Sequence, residues 1–179
     1  MYYSGGERAE KGVAIVVQKS IVRYVLKKIV YNDRIIAIKL QAEPINILMM
    51  QMYMPISGHE DDAVEVLYGI IEEILEEDGK GNTNTIIMGN WNSVVGDESY
   101  RNIVGLHGLG RKNHRGQMLI NSFERNGLIV TNTWFRKSKR RLYTWEAPGD
   151  RSRHQLDYML VNHRFRNSVK DVQTAWDRY

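Results

Sequence analysis

The chain has no cysteine, only three prolines, and no apolar run near the roughly 20 residues of a membrane helix. Zero cysteine excludes disulfide scaffolds, cysteine-ligated zinc modules and thiol nucleophiles, and it fits a reducing compartment, nucleus or cytoplasm. Met1-Tyr2-Tyr3-Ser4-Gly5-Gly6 lacks both the basic start and the apolar stretch of a signal peptide, so no membrane partner is expected. Internal repeats, low-complexity tracts and linkers are missing as well. The 179 residues, 42% hydrophobic and 26% charged, therefore read as one domain spanning 1–179. A chain of this length buries roughly 70% of its unfolded surface and needs no structural metal to hold a core.

Charge is unevenly spread. Residues 1–100 hold 9 Lys and Arg against 15 Asp and Glu, whereas residues 101–179 hold 16 against 6. A basic half suits a polyanion, because each phosphate neutralised releases condensed counterions. A solvated basic surface is the plainer alternative.

Short runs rich in β-branched residues predict strands over 12–18, 22–31, 34–40 and 45–53, with a hairpin turn at Asn32-Asp33. The period then changes. Ala63, Val64, Leu67, Ile70, Ile71, Ile74 and Leu75 recur at helical spacing with an acidic opposite face, after a capping box at 57–60 and before a stop at Gly79. Further strands are predicted at 85–88, 128–132, 142–146, 155–161 and 169–174, with a second helix over 115–126 that starts near Asn113 and turns Met118, Leu119 and Phe123 inward. This order predicts an α+β fold in a layered sandwich: two mainly antiparallel sheets face to face with helices outside.

Four places carry chemistry. If the strand at 85–88 extends, period-two geometry puts Asn90 and Asn92 on one side, and two amides at a strand end are suited to hold a phosphate. The same residues also read as an Asx turn. Asp157 lies inside the apolar strand 155–161, where a carboxylate needs a partner; Arg153 and His154 are candidates, as is a bound cation. Tyr53 ends another strand just before Pro55, where it also reads as a core-edge aromatic. Finally, Arg136, Lys137, Lys139, Arg140 and Arg141 are flanked by Trp134, Phe135, Tyr143 and Trp145. Cations beside rings grip phosphates while bases stack, although a charged loop or a nuclear-import signal has the same composition. The five histidines show no metal-ligand spacing.

Gly12-Val13-Ala14-Ile15-Val16-Val17, Gln51-Met52-Tyr53-Met54-Pro55, Met88-Gly89-Asn90-Trp91-Asn92, Thr131-Asn132-Thr133-Trp134-Phe135, Tyr143-Thr144-Trp145 and the run 153–161 resemble the motifs of the endonuclease/exonuclease/phosphatase superfamily, in the family's order. The likeness is greatest to the endonuclease domains of non-long-terminal-repeat retrotransposons. The resemblance implies a magnesium-dependent phosphodiesterase site at one end of the sandwich, with DNA as partner. On it, Tyr53 corresponds to the phosphate-contacting tyrosine, Asn92 to the asparagine of the Gly-Asp-x-Asn motif, and Asp157 to the aspartate near the metal.

The sequence departs from that pattern at position 90, which is Asn where the family has the Asp that handles the attacking water. It also has no counterpart of the family's amino-terminal metal-binding Glu, since Glu7 and Glu10 match nothing, nor of its carboxy-terminal Ser-Asp-His. The expectation is a domain truncated at both ends, in which magnesium is held weakly or not at all. Its metal ligands are undefined, hydrolysis is impaired or lost, and exposed sheet edges favour self-association. Two alternatives stay open: a non-catalytic module binding nucleic acid or protein through the basic half, and a phosphatase of the same superfamily.

Overall fold

The computed structural model describes residues 1–5, 12–56, 61–149 and 152–175. The capping box expected at 57–60, and Glu7 and Glu10, lie outside these residues. Two compact units divide the chain, Met1–Trp91 and Asn92–Tyr179.

In the first unit, β3 (Val25–Asn32), β4 (Ile35–Leu40), β5 (Asn46–Tyr53) and β6 (Thr83–Asn90) lie side by side in that order. The first two pairings are antiparallel. β5 and β6 are parallel, because the intervening α1 (Asp61–Asp78) returns the chain to the same end of the sheet. A small antiparallel pair, β1 (Tyr2–Ser4) and β2 (Val13–Ile15), covers one face: Val13 and Ile15 pack with Ile36, Ile38 and Leu40. Alternation turns Ile35, Ala37 and Lys39 to the other face, which α1 covers. Lys27 at 2.6 Å and Lys39 at 3.8 Å both reach the buried Asp78 of α1, so the acidic end of the helix is neutralised from the sheet. Hence β4 is apolar almost throughout, being buried on both sides. Edge strand β3 exposes Leu26, Val30 and Tyr31 around Lys27 and Lys28.

The second unit has shorter elements. α2 (His114–Arg125) buries Leu119, Ile120 and Phe123, while Met118 is half-buried; β7 (Leu128–Val130) pairs antiparallel with β10 (Asp157–Asn162); β8 (Trp145–Glu146) pairs with β9 (Arg153–His154). The architecture is the expected α+β one.

Several boundaries differ from expectation for local reasons. Residues 22–24 form a 3-10 turn, with Tyr24 N–H bonded to Ile21 C=O at 2.9 Å, before the strand begins. The hairpin turn falls one residue later, at Asp33-Arg34, because Asn32 Oδ1 accepts from Arg34 and Ile35 N–H at 2.9 and 3.0 Å. Leu142 stays in the turn that follows Lys139–Arg141, which leaves two residues of the predicted strand 142–146. Residues 169–174 form no strand. Their partners lie in the basic loop: Asp171 binds Lys137 at 2.6 Å, Gln173 binds Arg141 at 2.6 Å, and Thr174 N–H bonds to Arg141 C=O at 3.0 Å.

Candidate functional site

In the first unit, Tyr53 and Asn90 are register partners at the ends of the parallel strands β5 and β6. Met54 N–H donates to Asn90 C=O at 2.8 Å, extending the pairing past Tyr53. Gly89 is required here, since a Cβ at this position would meet Met52 C=O at 2.1 Å. Beyond Asn90, Trp91 is buried and stacks on Tyr68 of α1, with ring centroids 6.5 Å apart. The amide thus sits between a close strand approach and an aromatic anchor. Arg34 braces Tyr53 in two ways, through a hydrogen bond to its C=O at 3.1 Å and through a cation–π contact at 5.4 Å. Ile86, Met88 and Asn90 share a half-buried face of β6, as the alternation requires.

The second unit holds Asn92 and Asp157. Asn92 has a left-handed backbone (φ 46°), which Asn tolerates better than most residues. The chain just after it is fixed by polar side chains. Asn113, the N-cap of α2, accepts from both Val94 N–H at 3.1 Å and Gly116 N–H at 2.8 Å. The buried Tyr158 hydroxyl accepts from Val95 N–H at 3.3 Å and donates to Gln155 C=O at 2.6 Å. Burial holds that phenol well above its usual range.

Asp157 opens β10, and its surroundings account for the late start of that strand. Thr144 Oγ1 accepts from Leu156 and Asp157 N–H at 2.9 and 3.0 Å, leaving its own proton to hold the Asp157 carboxyl. Asn132 bridges the same turn, accepting from Met159 N–H at 2.8 Å and reaching Asp157 C=O at 3.5 Å. Burial pushes the Asp157 carboxyl up from its ordinary 3.8, and the Thr144 hydroxyl pulls it partly back. Arg153 instead bridges Glu146 at 3.4 Å and covers the Tyr143 ring at 4.9 Å, and His154 stacks against Trp145 at 5.8 Å. A half-buried carboxylate whose charge is met by one hydroxyl and by no cation among the described residues is a candidate for a functional group.

Thr144, Asn132 and Tyr158 lie within the quoted motifs, yet the sequence reading gave them no role. Only Thr144 carries a local signal, a hydroxyl between the two rings Tyr143 and Trp145.

A divalent cation needs clustered hard oxygen donors. Among the described residues no three His, Asp or Glu side chains come together to hold a metal. The carboxylate expected at position 90 is a neutral amide. The described donors do not fit a magnesium centre.

The basic loop divides in two. Lys137 and Arg141 are engaged by Asp171 and Gln173, whereas Arg136, Lys139 and Arg140 are exposed and have no ion-pair partner among the described residues. Trp145, 42% exposed, lies on the same unit. No described helix is long and apolar enough to cross a membrane.

No family model matches the chain. Craniofacial development protein 2 of Bos taurus is 35% identical over 175 residues, 97% of this chain and 29% of that protein. The Tragulus javanicus counterpart is 34% identical over 175 residues, again 97% of this chain and 30% of the relative. The chain thus spans less than a third of the curated relatives it matches. Among solved structures, the endonuclease domain of TRAS1, a telomere-specific non-LTR retrotransposon, superposes with a TM-score of 0.55 at 14% identity, covering 79% of this chain and 57% of that one. A mannosyl-6-phosphatase from Bacteroides thetaiotaomicron gives 0.52 at 12% identity over 77% and 52%. An AP endonuclease from Leishmania major gives 0.51 at 14% over 76% and 48%. Nucleases and a phosphatase therefore share this fold. Over nearly all its length the chain is similar in sequence to craniofacial development protein 2, and its α+β fold is the one shared by the TRAS1 endonuclease domain, the mannosyl-6-phosphatase and the AP endonuclease.

Proposed function

We propose that the chain is the phosphate-handling part of a DNA endonuclease of retrotransposon type, in which strand binding is kept and hydrolysis is impaired. The observation that carries this reading is the pairing of Tyr53 with Asn90 at adjoining strand ends, with an amide where the family's motif has its carboxylate. An amide donates a hydrogen bond to a phosphate oxygen but accepts no proton at neutral pH. Loss of a general base costs about 10² to 10⁴ in rate. In the second unit Asn92 serves as a further amide donor, and Asp157, raised by burial, supplies a carboxyl group.

Supercoiled plasmid incubated with the chain in magnesium buffer tests the reading. Wild-type nicking should be weak or absent, Asn90→Asp should raise it about 100-fold, and Asp157→Ala in that background should remove the gain. Efficient wild-type nicking that Asn90→Asp leaves unchanged would contradict the assignment.

A binding module without turnover is the second reading, favoured by the three exposed cations of the basic loop that have no ion-pair partner among the described residues. Neutralising Arg136, Lys139 and Arg140 to Gln should weaken DNA binding and lower its salt slope by about 2 to 3, whereas neutralising the paired Lys137 and Arg141 should do less. In the same assays, turnover of a sugar phosphate in preference to DNA would favour the phosphatase alternative.

A further inference from the structure

A cavity of about 420 Å³ opens in the second unit, between the segment that follows β7 and the 3-10 turn His163–Ser168 with the residues after it. Its lining combines apolar Ile129 and Val169, the rings of Trp134 and Phe135 from the segment after β7, and the cations Arg166 and Lys170 from the turn and the residues after it. Among the described residues no acidic side chain lines it. The volume lies in the usual range of small-ligand sites, roughly 300 to 1,000 Å³.

The walls are held in place. Trp134 is 39% exposed and its indole N–H points to Ile103 C=O at 3.5 Å, so the ring is fixed without being covered. Arg166 is steadied by the His163 ring at 2.7 Å. The ion pair of Lys137 with Asp171, at 2.6 Å, ties the residue after Lys170 to the loop after Phe135. Walls fixed before binding spare a ligand the cost of ordering them.

Rings and cations lining one cavity, with no anion among the described lining residues, match a group that is aromatic at one end and anionic at the other. We propose that this cavity takes one unstacked nucleotide of a single strand, its base against Trp134 and Phe135 and its phosphate between Arg166 and Lys170. Phe135 leads directly into Arg136 and the exposed Lys139 and Arg140, which offer cations to the next phosphates along the strand. The proposal rests on the reading that the chain handles nucleic acid and adds to it a site that none of Tyr53, Asn90, Asn92 or Asp157 forms.

The test is anisotropy of a fluorescein-labelled eight-residue thymidine strand with the full chain at several salt concentrations, repeated with an abasic strand of equal length. The thymidine strand should bind about tenfold tighter than the abasic one, and Trp134→Ala should remove that preference with the salt slope unchanged. Arg166→Glu with Lys170→Glu, both exposed positions, should weaken both strands and lower the slope by about 0.7, the value for one lost phosphate contact. If Trp134→Ala fails to fold, the abasic comparison and the charge variant decide. Equal affinity for the two strands, wild-type binding by the charge variant, or a polyglutamate peptide competing as well as the oligonucleotide each overturns the cavity proposal. If Gln at 136, 139 and 140 still weakens binding, the nucleic-acid reading survives that failure. No strand binding at low salt overturns both.

Discussion

The two units reach order by different means. In Met1–Trp91, β5 and β6 run through an eight-residue register, β4 is buried on both faces, and the core is Ile, Leu and Met. In Asn92–Tyr179, β7 has three residues, β8 and β9 two each, and much of the remaining backbone is bonded to side chains: Asn113, Asn132, Thr133, Thr144 and Tyr158. An apolar ladder tolerates exchange of one hydrophobe for another of similar volume. A polar brace does not, because deleting it leaves buried amides unpaired. Geometry in the second unit therefore depends on particular residues, and geometry in the first on a pattern.

The sharpest test of this contrast is Asn113→Ala, which removes the N-cap of α2 and the acceptor for Val94 N–H together. A loss of about 2 kcal/mol in denaturant unfolding is expected. A loss below about 0.5 kcal/mol, in the range of an ordinary surface substitution, would break the distinction.

Gly69→Ala probes the first unit in the opposite direction. A Cβ there meets nothing within 4 Å, and the residue lies inside α1. Stability should rise by about 0.8 kcal/mol through helix propensity, measured as a higher denaturation midpoint at constant slope.

The smallest effect concerns Asp157, which is partly open to solvent. Its folded-state pKa is raised, so the ionised form costs stability at neutral pH, and that cost disappears as pH falls below the ordinary 3.8. Asp157→Asn should therefore raise the thermal midpoint at pH 7 slightly and give no gain near pH 3. An equal gain at both values would mean that charge is not the cause.

Most of the fold was legible because hydrophobic period is a local property. The helical spacing from Ala63 to Leu75 survives in the structure, as does the alternation of Ile86, Met88 and Asn90, but β6 ends at Asn90 and the left-handed backbone of Asn92 breaks the two-residue period expected to carry both amides on one side. Strand limits were less legible. Runs 142–146 and 169–174 have strand-like composition, yet the first is shortened by the turn at Lys139–Arg141, and the second is bound to Lys137 and Arg141 in place of a ladder. At the candidate site, Tyr53, Asn90, Asn92 and Asp157 could be named from spacing and resemblance. The roles of Thr144 and Asn132 could not, because they act on backbone groups 13 and 25 residues away. The Trp134 cavity was hidden for the same reason, since its rings and its cations are brought together only by the folding of the second unit.

The sequence by itself determined which segments are apolar on one face or two, where charge accumulates, and that position 90 carries an amide. These are properties of side chains and their spacing, readable before any contact forms. Only the tertiary structure decided that Tyr53 and Asn90 share a register, that Asp157 is pushed toward protonation, and that two of the five loop cations are already engaged. Pairing, desolvation and charge neutralisation depend on what lies within a few ångströms in space, and a linear order of residues does not specify that distance.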